Sequence, residues 1–508
     1  MGFAAIAAPA HAENWRITPS ASLTETYTSN ANYASQGAAQ SDWVTSVTGA
    51  MQISGEGARL KVNGSIAATG WFYANQTQNN SFAPTVTLAS TLEAVEKFFY
   101  IEANANVTQT FLSPFGPQPG SLVNTTANRY TSQTYTVAPY IKGVIPGTYL
   151  TYDIRDDNIW TIASQYGDTS LSVPNTYLNR LHASLNSTAS PLGWTAEYIG
   201  TRYEPTGGEV DTVGTYTIQV GRGIVYYQFD PHLRLAVRGG YENEQFPLTG
   251  SEGVIYGLGG TWAPTDRMLI NGFWEHRFFG SSYSFQFTDR MPRVAVSANF
   301  SRGLETYPQN ALSIPAGANV AAFVEAAFTT RIPDPAERAL AVQQFLASSG
   351  LPATLATPVN FFAANILLQN SASATVVLLG VRNSLAFNAF YLKSEAIAGT
   401  GSALPPALQF GENNTQTGGG ASFNHQISGM TNLTASATYS TTTSNATRGL
   451  FADLRTTNAY LNVGIGTRLG PKTTATAGAG YTRFVPNGEI DAQTSSSYNI
   501  YAGINHTF

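Results

Sequence analysis

From Trp15 to the last residue, apolar and polar side chains alternate with a period of two, the pattern of strands with one face in oil and one in water. Between Ala58 and Tyr73, Leu60, Val62, Gly64, Ile66, Ala68 and Phe72 fall on one face, and Arg59, Lys61, Asn63, Ser65 and Thr69 on the other. Phe99 to Phe111 repeats this: Phe99, Ile101, Ala103, Ala105 and Val107 alternate with Tyr100, Glu102, Asn104, Asn106 and Thr108. Leu233 to Glu242 and Leu461 to Leu469 do so again. A strand divided between two solvents averages to neutral hydropathy, and the mean hydropathy here is -0.10. No run of about 18 apolar residues occurs, so a helical membrane span is excluded.

Composition points the same way. Charged residues make up 11% of the chain, against about 25% in soluble domains, and no linker or charge block divides its 508 residues. The net charge of -5 leaves no basic field for nucleic acid. With 0 cysteines, thiolate catalysis, Cys-ligated metals, iron–sulfur clusters and covalent haem attachment are all excluded, so no cofactor is expected. Phe3 to Pro9 followed by Ala10-His11-Ala12 reads as the remnant of a secretory signal over residues 1–12, with the barrel proper over 13–508.

Turn chemistry sets the topology. Tight turns are expected at Ser54–Gly57, Val144–Gly147, Ser190–Gly193, Asp230–His232, Ala263–Asp266, Gly429–Asn432 and Gly470–Lys472. Between them come long polar stretches at Asn75–Ser81, Pro114–Asn128, Asp156–Thr176, Ala396–Gln416 and Thr441–Thr456. This regular exchange of short and long connections predicts a transmembrane antiparallel up-and-down β-barrel of about 22 strands, in a range of roughly 18 to 24. Short turns face the periplasm and long loops the outside.

The longest connection, Gly303 to Pro358, carries a helical pattern over Ile332 to Gly350, with Asp334 as N-cap, Pro335 in the first turn and Gly350 as the stop. Val320 to Phe328 is a second helical candidate. An insertion of this size either folds inward as a constriction or stays outside as a cap or surface module. It is the one large piece the sequence offers for blocking the lumen.

The final strand places Tyr498, Ile500, Ala502, Ile504, His506 and Phe508 on one face. Tyr501, Gly503 and the terminal Phe508 together resemble the signal by which the barrel assembly machinery accepts its substrates, although His506 departs from the usual residue at its place. Further resemblance lies in the opening run Trp15 to Asn30, in Asp42-Trp43-Val44-Thr45, Ile53 to Lys61, Ser113-Pro114-Phe115-Gly116 and Gly380 to Leu385. These phrases resemble outer-membrane proteins associated with PEP-CTERM/exosortase systems, and overlap with β-barrel porins of polysaccharide loci. The resemblance implies an outer-membrane barrel near exopolysaccharide or sorted-protein export.

If the apolar faces meet lipid, the opposite faces line the interior. Strand parity nominates Arg59, Lys61, Lys142, Asp153, Arg155, Arg180, His182, Glu197, Arg234, Arg238, Glu242, Glu275, Arg277 and Arg468 as lumen residues. A charge facing lipid at mid-barrel costs roughly 2 to 4 kcal/mol, whereas one in a watery lumen costs almost nothing. Opposed basic and acidic ladders would create a transverse field favouring small polar, hydrated solutes over apolar ones, while a polysaccharide as partner is implied by the resemblance alone; alternatively the charges pair and stiffen the wall. Trp15, Trp43, Trp194, Trp262, Trp274, Tyr216 and Tyr498 are expected in interfacial girdles, and Trp71, Tyr73 and Tyr140 are candidates for carbohydrate stacking inside. None of His182, His232, His276, His425 and His506 lies in a nucleophile or metal motif, so no enzyme is expected. A non-conducting scaffold or receptor remains the rival to a pore, and a soluble β-helix or sandwich adhesin is a further one. Extraction decides against or for the soluble rival: the purified chain should require detergent, and a compact monomer in plain buffer would refute the two-solvent reading.

Overall fold

Hydrocarbon offers no partner to a backbone N–H or C=O, so a sheet that spans a membrane must close on itself. The computed structural model describes residues 14–165, 175–206, 215–246, 250–312, 356–361, 363, 365–397, 412–446, 453–487 and 493–508. Twenty-two strands form one closed sheet. The first eight are β1 (Asn14–Thr28), β2 (Asp42–Glu56), β3 (Leu60–Tyr73), β4 (Ser81–Val95), β5 (Phe99–Phe111), β6 (Arg129–Val144), β7 (Leu150–Gln165) and β8 (Asn175–Ser187). Then come β9 (Leu192–Thr206), β10 (Tyr216–Asp230), β11 (Leu233–Gln245), β12 (Gly250–Thr265), β13 (Met268–Arg277), β14 (Gly280–Arg290) and β15 (Val294–Glu305). After a short helix α1 (Tyr307–Leu312) follow β16 (Leu367–Leu379), β17 (Asn383–Ala396), β18 (Asn414–Gln426), β19 (Thr431–Ser444), β20 (Arg455–Arg468), β21 (Thr473–Asn487) and β22 (Ser495–Thr507).

Each strand pairs antiparallel with its neighbours in sequence, and β22 returns to β1 from Ser20↔Thr507 to Thr28↔Asn499. All seven expected tight turns fall on one rim, which also carries turns at 96–98, 291–293 and 380–382. The stretch from Asp156 to Thr176 is not all loop, because β7 continues to Gln165. Its run of polar residues hid the strand. The helix expected over 332–350, the candidate at 320–328 and the signal remnant over 1–12 lie outside the described residues.

Outward faces carry the expected apolar band, as in Leu235, Val237, Val254 and Leu258, each about half exposed or more. Trp15, Trp43, Trp194, Trp262, Trp274 and Tyr498 also point outward. Tyr216 does not: it is fully buried inside the barrel, where its hydroxyl donates to Asn365 Oδ1 at 2.7 Å. The protein is therefore an integral outer-membrane barrel, held in lipid by its strands.

The closing strand depends on close backbone approach. Tyr501 lies across two glycines, its Oη 2.9 Å from where a Cβ would stand at Gly464 of β20 and 2.5 Å from that position at Gly478 of β21. At Gly503 a Cβ would stand 2.9 Å from the Leu23 carbonyl of β1, so no larger residue fits without parting the seam. Phe508 anchors the end through its N–H to the Pro19 carbonyl at 2.9 Å. Gly503→Val should sharply reduce the heat-modifiable, folded species on unboiled gels, while Val463→Ala on an outward face should leave it unchanged.

Candidate functional site

The inner wall divides into two unlike halves. From β14 through β22 to β4, hydroxyl and amide side chains predominate, joined across strands in pairs such as Thr48 with Thr69 at 2.8 Å and Ser301 with Ser371 at 2.6 Å. From β5 to β13 the wall is charged. Arg155 of β7 bridges Glu102 at 2.6 Å and Asp157 at 2.7 Å. Farther along, His182 Nε2 lies 3.0 Å from Glu197, and Arg222 of β10 joins Glu197 to Glu275 at 3.0 Å each. Arg238 reaches the other oxygen of Glu275 at 3.5 Å and lies over the Phe273 ring at 4.0 Å. Arg277 pairs with Glu242 at 2.7 Å.

Glycines make this reach possible. Arg222 and Glu275 stand on β10 and β13, with two strands between them. A Cβ at Gly240 would lie 2.9 Å from Arg222 Cβ, and one at Gly257 2.8 Å from Glu275 Cβ, so bare backbone lets the guanidinium cross the wall. Arg155, His182, Glu197, Arg238, Glu242, Glu275 and Arg277 are expected here from strand parity, which also puts Glu102 on the polar face without nominating it; Arg222 and Asp157 are not among the expected lumen charges. The clustered glycines Gly239-Gly240 and Gly257 to Gly260 were the available signal. Acids and bases interdigitate on one wall instead of facing each other as ladders, so their fields largely cancel across the lumen.

The other nominated charges sit elsewhere. Arg180 lines a cavity of about 1540 Å³ together with Arg155, Asp157 and Glu305. Lys61, Lys142, Asp153, Arg234 and Arg468 gather at the tight-turn mouth, and Arg59 lies in the β2–β3 turn itself, not on the strand wall. There Lys61 pairs with Glu56 at 2.5 Å, and Lys142 stands over the stacked rings of Tyr100 and Tyr140. By strand parity Arg16 and Arg290 join them on the inner face. Arg16, Arg234, Arg290 and Arg468 make no ion pair among the described residues.

Two connections fold inward at the long-loop end. The loop between β5 and β6, residues 112–128, reaches toward β22, β1 and β3. Asn124, fully buried, donates to Thr28 Oγ1 at 2.9 Å and to the Asn30 carbonyl at 2.8 Å, and accepts from Asn499 Nδ2 at 2.9 Å. Val123 packs with Trp71 and Tyr73, and Tyr73 donates to its carbonyl at 2.7 Å. Those two aromatics thus hold a loop and are closed to a passing sugar. Nearby, burial pushes the Tyr33 hydroxyl up to about 12, and it bonds Thr482 at 3.0 Å.

The second inward segment precedes β16. Val359 exchanges hydrogen bonds with Gln416 of β18 at 2.7 and 3.2 Å, while Thr110 of β5, almost diametrically opposite, donates to the Asn360 carbonyl at 3.0 Å. Tyr203 of β9 then donates to the Ala363 carbonyl at 3.1 Å. Phe361, Ala363 and Ile366 pack with Tyr307 of α1 and with inward-facing Ile159, Leu178, Ile218 and Ile255 in an apolar cluster inside the barrel. The described end of the long connection therefore crosses the lumen. The expectation that this connection alone could obstruct it is corrected by the β5–β6 loop, whose scattered Leu112, Phe115 and Val123 follow no period that would mark them as docking residues.

No family model and no curated protein matches the chain. The FrpB iron transporter from Neisseria meningitidis is similar at 9% identity, covering 97% of this chain and 82% of that one, with a TM-score of 0.49. The outer membrane protein opdK from Pseudomonas aeruginosa aligns at 8% identity over 97% and 98% of the two chains, with a TM-score of 0.35.

Because Arg222 serves two carboxylates and Glu275 is almost fully buried, removing the guanidinium leaves Glu275 with only the 3.5 Å contact to Arg238 and Glu197 with only His182. Arg222→Met should lower unfolding stability in detergent by about 3 kcal/mol. A urea titration followed by tryptophan fluorescence measures this, and Arg222→Met/Glu275→Gln should recover part of the loss.

Proposed function

We propose that the barrel is a porin-like passage for small polar solutes across the outer membrane, narrowed by the segment before β16 and entered from the periplasm through a cationic mouth. The observation that carries this reading is the cavity of about 1540 Å³ that the described residues leave beside that segment, bordered by Arg155, Asp157 and Arg180. A lumen meant only to be sealed gains nothing from keeping hydrated charge beside an unfilled space. The ion-paired wall keeps the passage polar without a strong net field, which suits hydrated solutes of varied charge. At the mouth, Arg16, Arg234, Arg290 and Arg468 lack acidic partners among the described residues, so anions are favoured there, within the roughly 8 Å reach of unscreened charge at physiological salt.

The two inward loops favour a second reading, a closed scaffold or receptor that presents its outer loops to a partner. Planar bilayers separate the two. The wild-type barrel should conduct with a preference for chloride over potassium, and replacing residues 306–366 with a short Gly-Ser linker should raise unit conductance roughly twofold or more. Neutralising Arg16, Arg234, Arg290 and Arg468 to glutamine should erase the anion preference, measured as reversal potential under a salt gradient. No conductance before or after loop replacement would leave the receptor reading.

A further inference from the structure

The outward face of β7 departs from the apolar band around it. Ile154, Trp160 and Ile162 are each 40% exposed on that face, as lipid contact requires, yet Asp156 and Asn158 stand between them. The polar row continues sideways, with Asn179 of β8 opposite Asn158 and Arg202 of β9 opposite Asn179. Asn179 Nδ2 donates to Asp156 Oδ1 at 2.7 Å and to Asn158 Oδ1 at 3.1 Å. Asn158 Nδ2 donates to Asp156 Oδ2 at 3.0 Å, and the Tyr177 hydroxyl to Asn158 Oδ1 at 2.7 Å. Beside the row lies a recess of about 360 Å³ lined by Tyr135, Trp160, Ile162 and Tyr177.

Amide donors satisfy the lone pairs of Asp156 but bring no counter-charge, and a carboxylate facing hydrocarbon is costly. We infer that this face docks a second copy of the chain, about a two-fold axis along the membrane normal. The patch is self-complementary, as such a contact demands. Its acid, Asp156, lies on β7 and its base, Arg202, on β9, with β8 between; the Arg202 side chain is 61% exposed although it also touches Glu204. Rotation about the normal exchanges left and right, so Arg202 of each copy meets Asp156 of the other, and the asparagine amides face one another across β8. Polar side chains hydrogen-bonding between neighbouring elements are an established adhesive in membranes. An anionic lipid headgroup is a poorer occupant, because Asp156 and Glu204 outnumber Arg202 in the patch.

The proposal does not depend on whether the lumen conducts, and the absence of cysteine makes it directly testable. Leu181 lies on the outward face of β8, next to the inferred axis, opposite Asp156 and Gly200. Leu181→Cys should form a disulfide-linked dimer on mild oxidation of native membranes, whereas Val463→Cys, outward on β20, should not. In detergent the wild type should sediment as a dimer. Asp156→Arg and Arg202→Asp should each raise the dimer dissociation constant on the order of tenfold, and the double reversal should restore it. Folding of every variant is checked by heat-modifiable migration. A wild type that is monomeric in both membranes and detergent, equal cross-linking at both cysteines, or a monomer carrying lipopolysaccharide on this face would overturn the inference.

Discussion

Every other feature of this molecule depends on the pairing of β1 with β22. In hydrocarbon an open edge would expose a row of unpaired amides and carbonyls, so the sheet exists in the membrane only once its ends have met. The meeting is prepared by small residues. Gly503 lets the backbone of β1 approach, and Tyr501 fills the space left bare over Gly464 and Gly478. The residues that resemble an assembly signal are thus also the ones that complete the seam.

Closure creates two surfaces with opposite requirements. Outside, the cost of charge in lipid selects Leu, Val, Ile and aromatic side chains; inside, water permits charge but leaves a wide space that backbone bonds do not fill. The chain fills part of it with its own loops. Inward docking required apolar clusters within the lumen: the inner faces of β6 to β12 supply one through Ile159, Leu178, Tyr203, Ile218 and Ile255, and Val44, Trp71 and Tyr73 of β2 and β3 supply a smaller one. The charged network begins where this cluster ends, so wall chemistry and loop position are two sides of one arrangement.

The charges on that wall work mainly in pairs. Arg222 and Glu275 meet because glycines on the strands between them remove the side chains that would separate them, and removing either partner would leave the other under-compensated in a nearly dry setting, Arg222 with Glu197 alone or Glu275 with Arg238 alone. At the tight-turn mouth, by contrast, water screens each arginine and no partner is needed. One residue type therefore stiffens the middle of the barrel and sets the potential at its entrance.

The sequence by itself determined the closed barrel, the strand number, the rim on which each turn lies and the inward direction of charges such as Glu197, Glu242 and Arg277. These follow from a period of two and from local turn chemistry, which neighbouring residues carry without help from distant ones. It misjudged Asp156 to Gln165, where polar residues on an outward face looked like loop, and Tyr216, whose strand-end position looked interfacial. Only the tertiary structure decided which charges pair, that Arg222 joins Glu197 to Glu275, and that residues 112–128 and the segment before β16 turn into the lumen. Those outcomes depend on which strands face each other across the closed sheet, a relation between residues hundreds of positions apart that no local pattern encodes.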